Sequence, residues 1–254
     1  MSILSYILIF SFLGSVVSLI GGVLLLLKEK FAIKISHYLA SFAAGALLGT
    51  AFFDLLPEAQ EAAGEGDVNI FRWALIGILA FFLLERFIHH HDKNNDPKEK
   101  STVIPLIVIG DTIHNFIDGI AVAGTFLISI PLGIVTSLAV AAHEIPQEIG
   151  DFGLMLHKGV NKKKILLINF FSALAAMAGA VLTYMAKDSI EGFLPAVLGL
   201  TSGFFIYIAA SNLIPEIHST EDRKVAFWET IMLFLGVFTI WVVITSLTNA
   251  GLAH

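Results

Sequence analysis

The 254-residue sequence contains no cysteine and few charged residues. Without cysteine, the chain forms neither a disulfide framework nor a thiolate metal site. Charged residues make up 14% of the chain, against roughly 25% in an average soluble domain. The 15 Lys and Arg are outnumbered by 21 Asp and Glu, which argues against nucleic acid as a partner. The apolar share of 56% excludes a disordered chain and indicates an integral membrane protein surrounded by membrane lipid.

Long apolar runs are spread over the whole chain. A helix needs about 20 apolar residues to cross about 30 Å of hydrocarbon, and eight runs reach that length. They are too long for β-barrel strands, so we predict an all-α integral membrane protein with eight transmembrane helices in a single polytopic domain, residues 1–254. No basic segment precedes the first run, which predicts a span rather than a cleaved signal. The runs cover residues 3–27, 36–56, 69–88, 103–127, 131–156, 163–186, 193–217 and 225–248.

The basic residues predict the orientation of these helices. All of the 15 Lys and Arg except Arg72 and Lys187 lie in the last turn of the first, third, fifth and seventh runs or in the segments that follow them. The positive-inside rule then places those loops in the cytoplasm and both termini outside, in a multi-pass protein of the cell membrane. One cytoplasmic loop, at about residues 89–102, opens with three adjacent His that we interpret as part of a solvated loop rather than a metal site.

Two of the runs resemble each other. The second run ends in Asp54-Leu-Leu-Pro-Glu and the seventh in Asn212-Leu-Ile-Pro-Glu, and Gly45 matches Gly203 at the same offset. In the predicted topology these runs cross the membrane in opposite directions. That arrangement indicates an inverted-repeat helical bundle, which is common in transporters. The alternative is a chance similarity between two apolar helices.

The fourth and fifth runs carry many polar side chains. A charge at the bilayer centre costs about 2.5–3.5 kcal/mol, so their five carboxylates require protons, bound cations or water. Residues three, four and seven apart share a helix face, and a short turn near Ser129 brings His114 and His143 to nearly equal depth. The polar residues are Asp111, His114, Asn115 and Asp118 in the fourth run, and His143, Glu144, Gln147, Glu148 and Asp151 in the fifth.

This combination of imidazole, carboxylate and amide groups, without sulfur, suits a divalent cation such as Zn²⁺, Fe²⁺ or Mn²⁺. There are enough groups for two ions, with Asp118 or Glu144 as a bridge. Pro146 frees the carbonyl of Ala142 from its helical hydrogen bond, and that oxygen is a further candidate ligand. A buried hydrogen-bond network that ties the helices together is the alternative interpretation.

The same residues resemble a known family. The fourth run reads HNFIDG at residues 114–119, and the fifth reads HEIPQEIGDF at residues 143–152. These segments are similar to the HNFxDG and HExPHExGDF signatures of one branch of the ZIP family of divalent-metal transporters. The eight helices, the external termini and the Leu-Pro-Glu at residues 56–58 match the family as well. The resemblance covers essentially the whole chain, which looks like a prokaryotic-type member.

The resemblance implies a secondary or facilitative transporter, not an enzyme, that carries Zn²⁺ into the cytoplasm, with Fe²⁺, Mn²⁺ and Cd²⁺ as other candidate substrates. It also implies two adjacent metal sites. The first comprises His114, Asp118, His143 and Gln147, and the second comprises Asn115, Asp118, Glu144 and a polar residue of the sixth run, for which Asn169 is our candidate. Gln147 stands where that branch commonly has His, and Glu148 is a partial substitute for the missing ligand.

Further expectations concern the path of the ion and the assembly. Asp111 and Asp151 lie on the cytoplasmic side of the two His and suggest an exit path, whereas Asp54 and Glu58 suggest an entrance. Family members are described as moving a helix group that includes the fourth and fifth helices against the second, third, seventh and eighth. They are often dimers, so a homodimer is one option for this chain.

The sequence is compatible with two functions other than transport. An intramembrane zinc metalloprotease is suggested by His143-Glu144, which begins like H-E-x-x-H, but Gln147 replaces the second His. A metal sensor or scaffold without transport activity is the third hypothesis. It is disfavoured because no soluble output domain is evident among the eight runs.

Overall fold

The computed structural model describes residues 2–64, 68–93, 100–157, 159–218 and 221–249. Throughout these residues the secondary structure is helical and contains no β-strand. Eight long helices, labelled α1 to α8 below, coincide with the eight apolar runs and confirm the all-helical prediction. They are α1 (Ile3–Leu27), α2 (Glu29–Ala63), α3 (Ile70–Lys93), α4 (Lys100–Ile128), α5 (Ile130–His157), α6 (Lys162–Met185), α7 (Leu194–Tyr207 continuing through Ile208–Leu213 and Ile214–His218) and α8 (Arg223–Asn249).

The outer surface of the bundle is apolar. Within the described residues, five helices are long and apolar enough to cross a membrane, namely α1, α2, α6, α7 and α8. Large side chains such as Phe234 and Phe238 of α8 and Phe171 of α6 are exposed. Exposed aromatic and aliphatic groups on this scale are stable only against hydrocarbon or a partner. The structure is therefore that of a membrane helical bundle. That all eight helices cross the membrane, and that both termini lie outside, stay predictions.

Several helices extend beyond the apolar runs that predict them. The second begins at Glu29 rather than residue 36, because backbone hydrogen bonds continue through its polar first turns. For the same reason α3 reaches Lys93 and α4 begins at Lys100, so both helices extend into the predicted cytoplasmic loop at 89–102. Residues 94–99 of that loop, and the side chains of its three His, lie outside the described residues.

Local signals determine the helix boundaries that position α4 and α5. Ser129 is the single residue between the two helices. Its hydroxyl accepts a hydrogen bond from the backbone N–H of Leu132 at 3.2 Å and so caps the start of α5. This confirms the short turn expected near Ser129. Because the connection is so short, α4 and α5 are forced into an antiparallel hairpin with a defined register.

The internal repeat is visible in the helix geometry. A π-helical segment interrupts α2 at Ala51–Leu55, and a second interrupts α7 at Ile208–Leu213. Each precedes a proline, Pro57 or Pro215. Proline cannot bond the carbonyl four residues before it and its ring collides with that carbonyl, so a wider turn accommodates it. Two matching irregularities at matching positions favour a true repeat over a chance similarity.

The two copies also pack in the same way. Gly45 of α2 lies against the backbone carbonyl of Leu233 in α8, and Gly203 of α7 lies against that of Ala74 in α3. A Cβ atom at either glycine would overlap the opposing carbonyl. Helix pairs that approach this closely need small residues at the crossing. The pair α2–α8 and the pair α7–α3 are therefore equivalent contacts in the two halves of the chain.

The two copies run antiparallel. The last turns of α2, Leu56–Ala63, pack against Leu194–Tyr207 at the start of α7, while Ile214–His218 at the end of α7 packs against Glu29–Thr50. The part of each helix that follows its π-helical segment thus lies beside the part of the other helix that precedes it. This is the relation that an inverted repeat requires.

We predict that Gly203→Val destabilises the protein, because the added side chain meets a backbone carbonyl that cannot move aside. Overpacking of this kind costs about 1–3 kcal/mol. Thermal unfolding of the purified protein in detergent should therefore begin at a lower temperature. Gly150→Ala is the control, since an added Cβ there meets nothing within 4 Å. Equal stability of the two variants would contradict the assigned contact.

Candidate metal centre

The site is built around two histidines that face each other across the α4–α5 hairpin. The Nε2 atoms of His114 and His143 lie 3.1 Å apart, and both side chains are buried. The Nδ1 atom of His143 lies 3.1 Å from the carbonyl oxygen of Ala139. A carbonyl only accepts, so Nδ1 is the donor in this contact, and Nε2 is the ring nitrogen that faces the cluster. Two nitrogens that bind one tetrahedral Zn²⁺ at about 2.0–2.1 Å lie roughly 3.3 Å apart, close to the spacing here.

Two carboxylates complete this cluster. Asp118 Oδ2 is 3.6 Å from His114 Nε2 and 3.3 Å from His143 Nε2. Glu144 Oε1 is 3.5 Å and 3.6 Å from the same two nitrogens. One ligand atom from each of the four residues falls within 4.8 Å of all the others, and all four residues are buried. The cluster has the size and composition of the ligand shell of a divalent cation.

Three of the four carboxylate oxygens of this cluster lack well-aligned hydrogen bonds to the described residues. Within the described residues, neither oxygen of Glu144 nor Oδ2 of Asp118 has a hydrogen-bond partner of good geometry. Buried polar groups in folded proteins are normally satisfied, because an unpaired one costs free energy. A positive ion at the centre of the cluster would supply the missing interaction.

Two side-chain amides meet a third carboxylate one helical turn away. Asn115 Nδ2 donates to Oδ1 of Asp111 at 3.1 Å and to its backbone carbonyl at 3.1 Å. Gln147 Nε2 donates to the same Oδ1 at 3.4 Å. The structure thus brings Asn115 and Gln147 together through Asp111, while Asp111 itself stays outside the four-residue cluster.

A small cavity lies beside the cluster. It measures about 20 Å³, enough for one water molecule or ion. Asn115, Asp118 and Glu144, the three named ligands of the predicted second site, all line it. Ser11 of α1 and Ser137 of α5 line it as well and were missed by sequence reasoning, because a serine in an apolar helix carries no signal of its own.

The remaining predicted ligands lie away from this cavity. The residue of α6 that lines it is Ala176, whereas Asn169 is buried elsewhere on that helix and its Nδ2 has no hydrogen-bond partner among the described residues. Glu148 is buried and Asp151 is half-buried further along α5. Both interact electrostatically with Asp111 but lie outside the four-residue cluster.

Aromatic rings from α3 and α7 contact the two histidines of the cluster. Phe81 of α3 meets His114 edge to face, with ring centroids 5.4 Å apart and planes at 88°. Phe205 of α7 meets His143 with centroids 6.4 Å apart. Both Phe side chains are buried and offer no hydrogen bond, so they keep the surroundings of the imidazoles apolar and strengthen electrostatic interactions there. With 21 Phe in the chain, composition could not single these two out.

Other residues noted in the sequence have separate surroundings. Asp54 and Glu58 are half-buried at the end of α2, and His218 is exposed at the end of α7. His37 of α2 lies 3.7 Å from the carboxylate of Glu229 in α8, whose side chain is fully buried. This contact between α2 and α8 is independent of the four-residue cluster.

The fold and the cluster together define a class, a polytopic helical membrane protein with a buried imidazole and carboxylate site suited to a metal ion. The family model described as ZIP Zinc transporter matches residues 4–105 and 89–244. The chain belongs to the ZIP family. This confirms the resemblance seen in HNFIDG and HEIPQEIGDF.

Individual relatives are zinc transporters by name. Zinc transporter ZIP13 of Pongo abelii is 34% identical over 215 residues, covering 78% of this chain and 64% of that protein. Zinc transporter zipt-7.2 of Caenorhabditis elegans is 29% identical over 265 positions, covering 81% of this chain and 57% of that protein. Zinc transporter ZIP4 of Mus musculus is 40% identical over 119 residues, covering 47% of this chain and 18% of that protein. The chain therefore spans less than two thirds of the length of each of these three proteins.

We predict that His143→Ala and Asp118→Ala each weaken Zn²⁺ binding to the purified, chelator-treated protein by at least about tenfold, a loss typical of damaged metal sites. Each variant removes one of the four ligand atoms that converge within 4.8 Å. Isothermal titration calorimetry measures the change. Asp188→Ala serves as the control, because Asp188 is exposed on the short helix Lys187–Ile190. Unchanged affinity in both site variants would exclude this cluster as the binding site.

Proposed function

We propose that the protein transports divalent metal cations, with Zn²⁺ as the main substrate, into the cytoplasm through a binuclear site on α4 and α5. It acts as a secondary or facilitative transporter rather than an enzyme. The observation that carries this proposal is the convergence of His114, Asp118, His143 and Glu144 in a buried cluster. Membership of the ZIP family supports it.

A purely structural network explains the cluster less well than a cation does. A network that only ties helices together satisfies its own members. Here Glu144 has two buried oxygens without well-aligned partners, and two imidazole nitrogens face each other across 3.1 Å. Both features are relieved by a divalent ion, which accepts the lone pairs of imidazole and carboxylate together.

The first proposed ion is held by His114, His143, Asp118 and the amide oxygen of Gln147. The second is held by Asn115, Asp118 and Glu144, around the cavity that these three residues line. Asp118 bridges the two ions. Asn169 and Glu148 are the further proposed ligands, which would be recruited as the helices move.

Zn²⁺ is preferred because the first ligand set contains two imidazoles and because the curated relatives are named zinc transporters. Fe²⁺, Mn²⁺ and Cd²⁺ compete for the same site. Gln147 contributes a neutral oxygen where the signature that this segment resembles has His, and a harder, uncharged ligand reduces the discrimination in favour of Zn²⁺.

The path follows the carboxylates on either side of the histidines. Asp54 and Glu58 form the outer entrance, and Asp111 and Asp151 form the route to the cytoplasm. This assignment uses eight spans in one domain of residues 1–254, with both termini outside the cell membrane and the basic loops in the cytoplasm.

Alternating access is proposed to arise between two helix groups. Glycine-mediated contacts join α4 to α6 at Gly119 and Ala176, and α1 to α5 at Gly21 and Ile145. Corresponding contacts join α2 to α8 and α3 to α7. The first group, α1, α4, α5 and α6, carries the ligands. The second group, α2, α3, α7 and α8, contributes Phe81 and Phe205, whose rings contact the two histidines. Relative movement of the groups would open the cluster to one side at a time.

The proposal is tested by metal uptake into proteoliposomes that contain the purified full-length protein. We expect Zn²⁺ uptake by the unmodified protein and a loss of at least about tenfold for His143→Ala and for Asp118→Ala, because each removes a group central to the cluster. Asp188→Ala should transport normally. Uptake that survives both site substitutions would refute transport through this site.

Metal preference provides a second prediction. Gln147→His replaces an amide oxygen by an imidazole nitrogen, which favours Zn²⁺ over Mn²⁺. In competition uptake, a given excess of Mn²⁺ should inhibit Zn²⁺ transport less in this variant than in the unmodified protein. Glu61→Gln, at an exposed position of α2, is a matched control. An unchanged competition profile would show that Gln147 does not select the metal.

A further inference from the structure

We infer that Asp111 is a positioning residue that orients two amide ligands, Asn115 and Gln147, so that their oxygen atoms are available to the ions. The inference rests on the proposed function and assigns Asp111 a role besides that of a charge on the exit path. Its basis is that both amide nitrogens donate to the same carboxylate oxygen, Oδ1 of Asp111, at 3.1 Å and 3.4 Å.

The chemistry of the amide makes its orientation decisive. A side-chain amide carries a donor NH₂ at one end and an acceptor oxygen at the other, and only the oxygen binds a cation. An ionised carboxylate accepts hydrogen bonds and donates none. Asp111 therefore attracts the NH₂ end of each amide and leaves the oxygen end directed away from itself. An amide turned the other way would present N–H groups to the ion.

Asp111 is placed to act through the amides rather than by direct contact with the first ion. It lies outside the group of four residues whose ligand atoms converge within 4.8 Å. Asn115, in contrast, lines the cavity together with Asp118 and Glu144. Buried partners behind a ligand commonly determine its orientation at metal sites. Asp111 is itself only 6% exposed, so water competes little for the amide N–H groups.

The two amides depend on Asp111 to different extents. Asn115 also donates to the backbone carbonyl of Asp111, which any substitution at position 111 retains. For Gln147, the hydrogen bond to the Asp111 carboxylate is the one side-chain hydrogen bond seen among the described residues. Gln147 also has one more rotatable bond to restrain. The loss of the carboxylate should therefore act mainly through Gln147.

Two roles for Asp111 make opposite predictions for its amide variant. If Asp111 serves only as a negative charge on the ion path, Asp111→Asn should be as defective as Asp111→Ala. If it serves as an acceptor, Asp111→Asn keeps one oxygen that receives the amide N–H groups, and its own NH₂ has Ser172 of α6 as a neighbour. Partial rescue by Asn is thus the distinguishing observation.

The experiment measures Zn²⁺ uptake in proteoliposomes with the purified full-length protein. We expect Asp111→Ala to lower uptake at least about tenfold, the range typical of lost ligand-orienting partners, and Asp111→Asn to lie within about threefold of the unmodified protein. Asp151→Ala and Asp151→Asn form the matched pair for a carboxylate further along the path, and they should resemble each other. Equal defects in Asp111→Ala and Asp111→Asn would overturn the inference.

A double-mutant cycle supplies the second readout. In a Gln147→Ala background the amide to be oriented is gone, so Asp111→Ala should now cost less than about threefold. The same loss in both backgrounds would also overturn the inference. Asp111→Ser replaces Asp111→Ala if the latter fails to elute as a single species, since its short hydroxyl cannot reach both amides.

Failure of the proposed function is distinguishable from failure of this inference. If the unmodified protein takes up no divalent metal, or if His143→Ala transports normally, the proposed function is wrong. The positioning role alone is wrong if the unmodified protein takes up Zn²⁺ and His143→Ala does not, but the effects of Asp111→Ala and Gln147→Ala on uptake are additive.

Discussion

The cost of burying carboxylates and imidazoles among apolar helices governs the rest of this structure. Asp118 and Glu144 are removed from water next to His114 and His143, and neither Oδ2 of Asp118 nor either oxygen of Glu144 has a well-aligned hydrogen bond among the described residues. Such an arrangement persists only if the surrounding fold is rigid enough to impose it. The rigidity comes from a one-residue turn between α4 and α5, and from glycines that allow helix backbones to touch.

These supporting elements form a hierarchy. The turn at Ser129 sets the register of the hairpin, and the register brings the two Nε2 atoms within 3.1 Å of each other. The glycine contacts then hold each helix of the hairpin to a neighbour, while α3 and α7 contribute Phe81 and Phe205, whose rings contact the two histidines. The polar ligands thus lie on α4 and α5, whereas the aromatic side chains beside them come from α3 and α7.

The part of this organisation that depends on short sequence separations was predictable. Helical spacing and a short turn were enough to pair His114 with His143 and to place Asp118 and Glu144 beside them. Contacts between distant helices were not predictable. Neither Phe81 nor Phe205 differs in sequence from the lipid-facing Phe, and the close approach of Gly203 to Ala74 depends on a packing that no local pattern encodes. Asn169 shows the same limitation: it is the predicted α6 ligand of the second site and it is buried, but the cavity is lined by a different turn of that helix.

The paired π-helical segments have a consequence for the two ends of the molecule. They occupy equivalent positions in the two antiparallel copies, yet the matched side chains differ: α2 has Asp54 where α7 has Asn212. A symmetric backbone therefore carries an asymmetric charge distribution. A cation approaching from the α2 end meets an ionisable carboxyl group, and one approaching from the α7 end meets a neutral dipole. The two ends of the repeat thus differ in one group, a carboxyl oxygen in α2 and an amide NH₂ in α7, within backbones of the same shape.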